Sequence, residues 1–138
     1  MQSTTRRAVQ RQLAAMPPLT MIGAKPVWRN LLATGDDLRR IALSLEGTSE
    51  APHFDRAAFR VARIYATLAA DGLSANLKFT PEDQEFKCML APEAFSPIAG
   101  GWGRQGWTVA KLSALTEADL RAALEIAWRN GQKTTRRR

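Results

Sequence analysis

His53 is the single histidine of the chain, and it stands between Glu50 and Asp55. An imidazole beside carboxylates can act as a general base. No serine or cysteine is placed by the sequence to be activated, so a loop or surface histidine is the better reading. Cys88 is the single cysteine, which excludes an intramolecular disulfide and any multi-cysteine zinc site. Inert packing is the better reading for a lone thiol. Glu82, Asp83 and Glu85 fall in the first turn of an expected helix, where they complement its dipole. No carboxylate pair has a spacing that suggests acid–base or metal chemistry. The expectation is a binding protein, not an enzyme, with no metal and no cofactor.

The most unusual stretch is Gly100-Gly101-Trp102-Gly103-Arg104-Gln105-Gly106-Trp107. Four glycines permit close backbone approach, Arg104 supplies a cation and Trp102 a stacking face. The run matches neither the Walker nor the dinucleotide fingerprint. It reads either as a tight loop delivering Trp102 and Trp107 into the core, or as a ligand site.

Charge narrows the classes of partner. The chain has 138 residues and a net charge of +7. Residues 1–35 hold five basic residues and no acid, and 133–138 hold four basic residues. Residues 36–132 hold 11 basic and 13 acidic residues, so the central part is slightly acidic. Basic ends attract polyanions through phosphate contacts and counterion release. A net negative domain can still present one positive face, and Lys78, Arg104 and Lys111 are the cations on or beside neighbouring strands. The Arg-rich, acid-free start resembles a transit peptide, or an over-extended gene start, because Met16 and Met21 are alternative initiators. It reads as a mostly flexible extension, with Val27, Trp28, Leu31 and Leu32 docking on the domain. No apolar run approaches the ~18 residues of a membrane span.

Periodicity supplies the elements that must position these residues. Leu38, Ile41, Ala42 and Leu45 make one apolar stripe, predicting a helix over 36–46 with Thr34 and Asp37 as a capping box. Gly47 suits a left-handed stop. The segment 47–55 reads as a loop. Phe59 to Ala70 alternates as β-structure, Asp71-Gly72 predicts a hairpin, and 73–79 alternates again, giving a three-stranded antiparallel meander. Thr80-Pro81-Glu82-Asp83 starts a helix to about Ala91, expected to bury Phe86, Met89 and Leu90. Trp107 to Leu112 is a strand with Trp107, Val109 and Lys111 on one face. The last helix runs from Glu117 to Asn130, burying Leu120, Ala123, Leu124, Ala127 and Trp128, with Gly131 as its stop. The fold class is α+β, an antiparallel sheet with the first and last helices on one face.

These residues together resemble the MmcQ/YjbR family of small bacterial proteins. The likeness runs from Asp36 to Asn130. It is carried by Leu38-Arg39-Arg40-Ile41-Ala42-Leu43-Ser44-Leu45, Phe59-Arg60-Val61, Leu77-Lys78-Phe79-Thr80-Pro81-Glu82-Asp83-Gln84, Ala94-Phe95-Ser96-Pro97 and Gly100 to Thr108. The resemblance implies a two-layer α-β3-α-β2-α fold, similar to type III secretion chaperones and the frataxin-like group. Members are commonly labelled DNA-binding by analogy of fold. The expected organisation is a basic extension over 1–35, the domain over 36–131 and a basic tail over 132–138. The expected function is nucleic-acid binding, with Lys78, Arg104 and Lys111 on phosphates and Trp102 on a base. The alternatives are a protein-interaction module or a small-ligand binder at the glycine-rich loop. The expected partners are DNA, another polyanion or a protein, in the cytoplasm, with no membrane; the oligomeric state stays open.

Overall fold

Thr34 opens the first helix by a reciprocal cap. Its Oγ1 accepts from the Asp37 N–H at 3.1 Å, and Asp37 Oδ2 accepts from the Thr34 N–H at 3.0 Å. The helix, α1, spans Gly35–Ser44 and buries Leu38, Ile41 and Ala42. It ends two residues before the expected end at 46, and Gly47 takes its positive φ of 81° in the turn beyond. The computed structural model describes residues 32–133. The readings that fall on 1–31 and on the tail from 134 lie outside the described residues. Packing starts at Ala33, which is buried and donates its N–H to Leu115 O at 2.8 Å.

Six strands follow α1 in one antiparallel sheet. They are β1 (Ser49–His53), β2 (Arg56–Arg60), β3 (Ile64–Leu68), β4 (Ser74–Lys78), β5 (Phe95–Pro97) and β6 (Trp107–Lys111), in the order β1-β2-β3-β4-β6-β5. Helix α2 (Pro81–Leu90) links β4 to β5, and the short α3 (Gly101–Arg104) links β5 to β6. A 3₁₀ turn over Leu112–Ala114 leads into α4, Glu117–Gln132. Two differences from the expected α-β3-α-β2-α order matter. The segment read as a loop over 47–55 contains β1, so His53 ends a strand. Continuous β-structure from Phe59 to Ala70 is broken instead at 61–63, and the meander has four strands.

The register explains which side chains face the helices. Phe59 pairs with Ala66, but Arg60 pairs with Ile64, so Tyr65 is an extra residue. A bulge of this kind puts Tyr65 and Ala66 on the same side and returns Ile64 to the other. Tyr65 accordingly reaches α1, its hydroxyl 3.4 Å from Ala42 O and 2.9 Å from Thr48 Oγ1. Burial raises the pKa of this phenol. Tyr65, Phe59, Leu77 and Phe79 on the sheet meet Leu38 and Ile41 of α1 and Leu120 and Leu124 of α4 in one core. Fully burying each such side chain contributes about 1.5–3 kcal/mol. Arg39 of α1 clamps β1 through Glu50, its Nε 3.1 Å from a carboxylate oxygen. Arg40 joins α1 to α4 through Glu117 at 2.8 Å.

Three packing expectations are corrected. Helix α2 buries none of Phe86, Met89 and Leu90, which are 54%, 67% and 61% exposed. Its opposite face points inward instead, with Cys88 against the core and Lys87 5.9 Å from the Phe95 ring centroid. The cause is Gln84, whose Nε2 donates to Gly103 O and Trp107 O at 3.0 Å and to Thr108 Oγ1 at 3.1 Å. The amide carries two N–H groups, so two of the three acceptors share one, and each such bond is worth about 0.5–1.5 kcal/mol net in drawing this face inward. Trp128 is half-buried rather than a core residue, and its Nε1 donates to Glu46 O at 2.9 Å. Gly131 does not stop α4 but lies inside it. A Cβ there would meet Tyr65 Cβ at 3.0 Å and Arg63 O at 3.1 Å, so the glycine lets the last turn close on β3.

Candidate nucleic-acid interface

The helices cover one face of the sheet and leave the other open. Pairing across all six strands sets a single transverse row on that open face: Ala51, Ala58, Thr67, Asn76, Val109 and Ser96. All six are short. The flanking rows carry the long side chains of the face, with Ser49 and Ser74 as their short members. On one side stand Arg60, Ile64, Lys78 and Trp107; on the other, His53, Arg56 and Lys111. Short residues between two long rows form a trench that crosses the strands. A cavity of about 570 Å³ opens in it, lined among others by Phe54, Arg56, Thr67, Asn76, Trp102 and Trp107. Phe54 comes from the β1–β2 turn and Trp102 from α3, so the two margins of the sheet curl toward one cavity.

Charge on this face is one-sided. Arg56, Arg60, Lys78 and Lys111 all point to it, and no strand residue on it is acidic. Glu50 belongs to β1 but turns to the helix side to meet Arg39. Asp55 stands in the turn at the border. The acids that make the central region slightly negative sit on the helices and turns. A domain with a balance of −2 over 36–132 therefore carries one cationic, acid-free face.

Each residue expected at the site has a definite place. Trp102 is 63% exposed and lines the cavity, so the reading that α3 delivers it to the core is wrong. It is held out by Gly103, which is buried so tightly that a Cβ would collide with the Ile98 carbonyl oxygen. Lys78 lies opposite Trp107, but its Nζ donates to Gln105 O at 2.6 Å and Phe79 O at 3.3 Å. Desolvation, then the nearby charges of Arg63 and Lys133, lower its pKa. Lys78 is thus a strut that fixes the α3–β6 loop under Trp102. Lys111 is exposed at the far end of β6, opposite Ser74, about 13 Å along the strand from the Lys78 position. Arg104 is exposed at the end of α3 and does not line the cavity. The structure brings Trp102, Lys78 and Lys111 to one face and leaves Arg104 beside it.

Sequence reasoning missed five residues of this face, Arg60 among them. Arg56 donates from Nε to Thr67 Oγ1 at 2.8 Å, which orders both side chains on the cavity wall. Among the described residues, the Asn76 side-chain amide has no protein hydrogen-bond partner. Phe54 is 94% exposed. The alternation around Asn76 and Thr67 was visible, but the pairing that aligns them was not. Cys88 stands apart from this face, and burial raises the pKa of its thiol. Among the described residues no group of three or more His, Cys, Asp or Glu could hold a metal ion, and no helix is long and apolar enough to cross a membrane.

Among curated proteins, none matches this sequence. The crystal structure of a Deinococcus radiodurans protein of the domain family DUF419 is similar, with a TM-score of 0.60 and 24% identity. The alignment covers 70% of this chain and 76% of that one, and at this identity the likeness speaks to the fold. The family model YjbR matches residues 43–130, from the end of α1 through most of α4. That span holds every strand of the sheet and the whole trench, and the chain belongs to the YjbR family.

Proposed function

We propose that the open sheet face binds nucleic acid, with cations on the phosphates and Trp102 stacked on a base. The observation that carries this reading is an acid-free, cationic sheet face with a 63% exposed tryptophan beside its cavity. Lysine and arginine supply affinity through phosphate contacts, and exposed aromatic side chains stack bases without regard to sequence. Arg60 and Lys111 stand on opposite sides of the trench, on β2 and β6, where a strand crossing the face diagonally would pass both. The basic segments at the two chain ends would add sequence-independent attraction. The reaction class is binding, not catalysis.

A salt titration tests this. The Arg60→Ala, Lys111→Ala double variant should bind an oligonucleotide more weakly, with a log affinity–log salt slope shallower by about 1.4–1.8, the contribution of two phosphates. An unchanged slope in fluorescence anisotropy would place the phosphate contacts elsewhere. A second reading, a small ligand in the same cavity, is favoured by its volume of about 570 Å³, which falls within the ordinary range for small-molecule sites.

A further inference from the structure

The β1–β2 connection is a two-residue turn, Phe54 and Asp55, between the paired His53 and Arg56. Phe54 is the only non-glycine residue with positive φ among the described residues, at 61°. Positive φ at the first central position alone is the pattern of a II′ hairpin turn, where glycine is the usual occupant. A bulky aromatic there is a backbone outlier, and such outliers cluster at ligand clamps. Phe54 gains little in return from the fold. It is 94% exposed, and its ring contact is His53, edge-on at 4.8 Å between centroids. Its other relation is to the cavity, which it lines together with Trp102, Thr67 and Asn76.

We infer that this cavity takes a single unpaired nucleobase, with Phe54 and Trp102 as aromatic walls and Asn76 reading the base edge; the inference rests on the nucleic-acid reading of the sheet face. The Asn76 amide has both donors and its acceptor uncommitted within the described protein, which suits the edge of a base. Arg56 and Thr67 are already bonded to each other, so they present a preset polar wall at no further ordering cost. A base inside a duplex cannot enter a cavity of this kind without leaving its stack. The ligand class is therefore single-stranded nucleic acid, and the surrounding cations complement its phosphates.

The test uses the full chain and three probes in fluorescence anisotropy: a single-stranded oligothymidylate, an abasic strand of the same length and charge, and thymidine monophosphate. The oligothymidylate should bind about 5- to 150-fold more tightly than the abasic strand, the range of one stacked base. Phe54→Gly should raise Tm, because glycine accepts the positive φ, and should lower oligothymidylate affinity while leaving the abasic strand unaffected. Phe54→Leu, which keeps the backbone strain and loses the ring, should lower affinity without raising Tm. Equal binding of base-bearing and abasic strands would overturn the base pocket, and the salt slope of the Arg60→Ala, Lys111→Ala variant would then separate phosphate binding by the face from binding by the chain ends. Binding of neither strand would overturn the nucleic-acid reading itself. The monophosphate binding as tightly as the oligothymidylate would overturn the strand assignment in favour of a small ligand.

Discussion

Trp102→Ala should weaken single-stranded oligonucleotide binding by about 5- to 150-fold and leave Tm within a degree or two. The binding loss follows from one base–aromatic stack, worth about 1–3 kcal/mol. The small stability change follows from exposure: the side chain is 63% accessible, and exposed substitutions generally stay within about 0.5 kcal/mol. The two readouts separate a ligand contact from a structural one. A tryptophan that merely closed the core would cost stability on truncation, in the range of about 3–5 kcal/mol seen for buried aromatics. Equilibrium denaturation and anisotropy on the same preparation distinguish the cases. Lowered stability with unchanged binding would remove Trp102 from the interface.

The stability readout is expected to reverse one residue further on. Gly103→Ala should destabilise the domain by about 3 kcal/mol or more and reduce binding as a consequence. An added Cβ would collide with the Ile98 carbonyl oxygen, which is backbone and cannot swing aside. Overpacking commonly costs about 1–3 kcal/mol, and a clash against backbone lies at or beyond the top of that range. To relieve it, α3 must lift from the β5–α3 connection. That lift would loosen Gln105, whose carbonyl receives the Lys78 ammonium, and Gly103 O, which receives Gln84 Nε2. The Trp102 platform therefore depends on a chain of contacts from α2 through α3 to β4. Thermal denaturation reads this directly, and an unchanged Tm would show that the loop adapts without the tight approach.

Local signals in the sequence were reliable where the physics is local. The Thr34 and Asp37 cap, the turn at Asp71 and Gly72 and the alternation of Ala75, Leu77 and Phe79 each depend on neighbouring residues, and each stands where expected. Strand β1 was illegible because Ser-Glu-Ala-Pro-His has neither β-branched residues nor an apolar alternation. Every residue of this edge strand is exposed, so no burial pattern was imposed on it. The face of α2 was misread because Phe86, Met89 and Leu90 outweigh Gln84 in hydrophobicity. The three acceptors that draw Gln84 inward come from residues 19 to 24 positions later in the chain.

The candidate site divides the same way. Trp102, Lys78 and Lys111 stood out by type, and all three reach the open face. The trench itself is a product of register, since Ala51, Ala58, Thr67, Asn76, Val109 and Ser96 align only through five strand pairings. No local pattern marks such a row. Phe54 was equally silent, because its peculiarity is a backbone angle and not a residue type. The separation of charge between the two faces was also hidden. A count over 36–132 gives −2 and averages acidic helices with a cationic sheet.

In the proposed function the sheet face, and not the basic chain ends, forms the specific contact. The most direct measurement is a ¹⁵N heteronuclear NMR titration of the full chain with a single-stranded oligonucleotide at physiological ionic strength. The Trp102 indole N–H, the Asn76 side-chain amide and the Thr67 and Val109 backbone amides should shift together and saturate at one stoichiometry. Shifts confined to residues 1–31 and 134–138, with the trench amides unmoved, would contradict it.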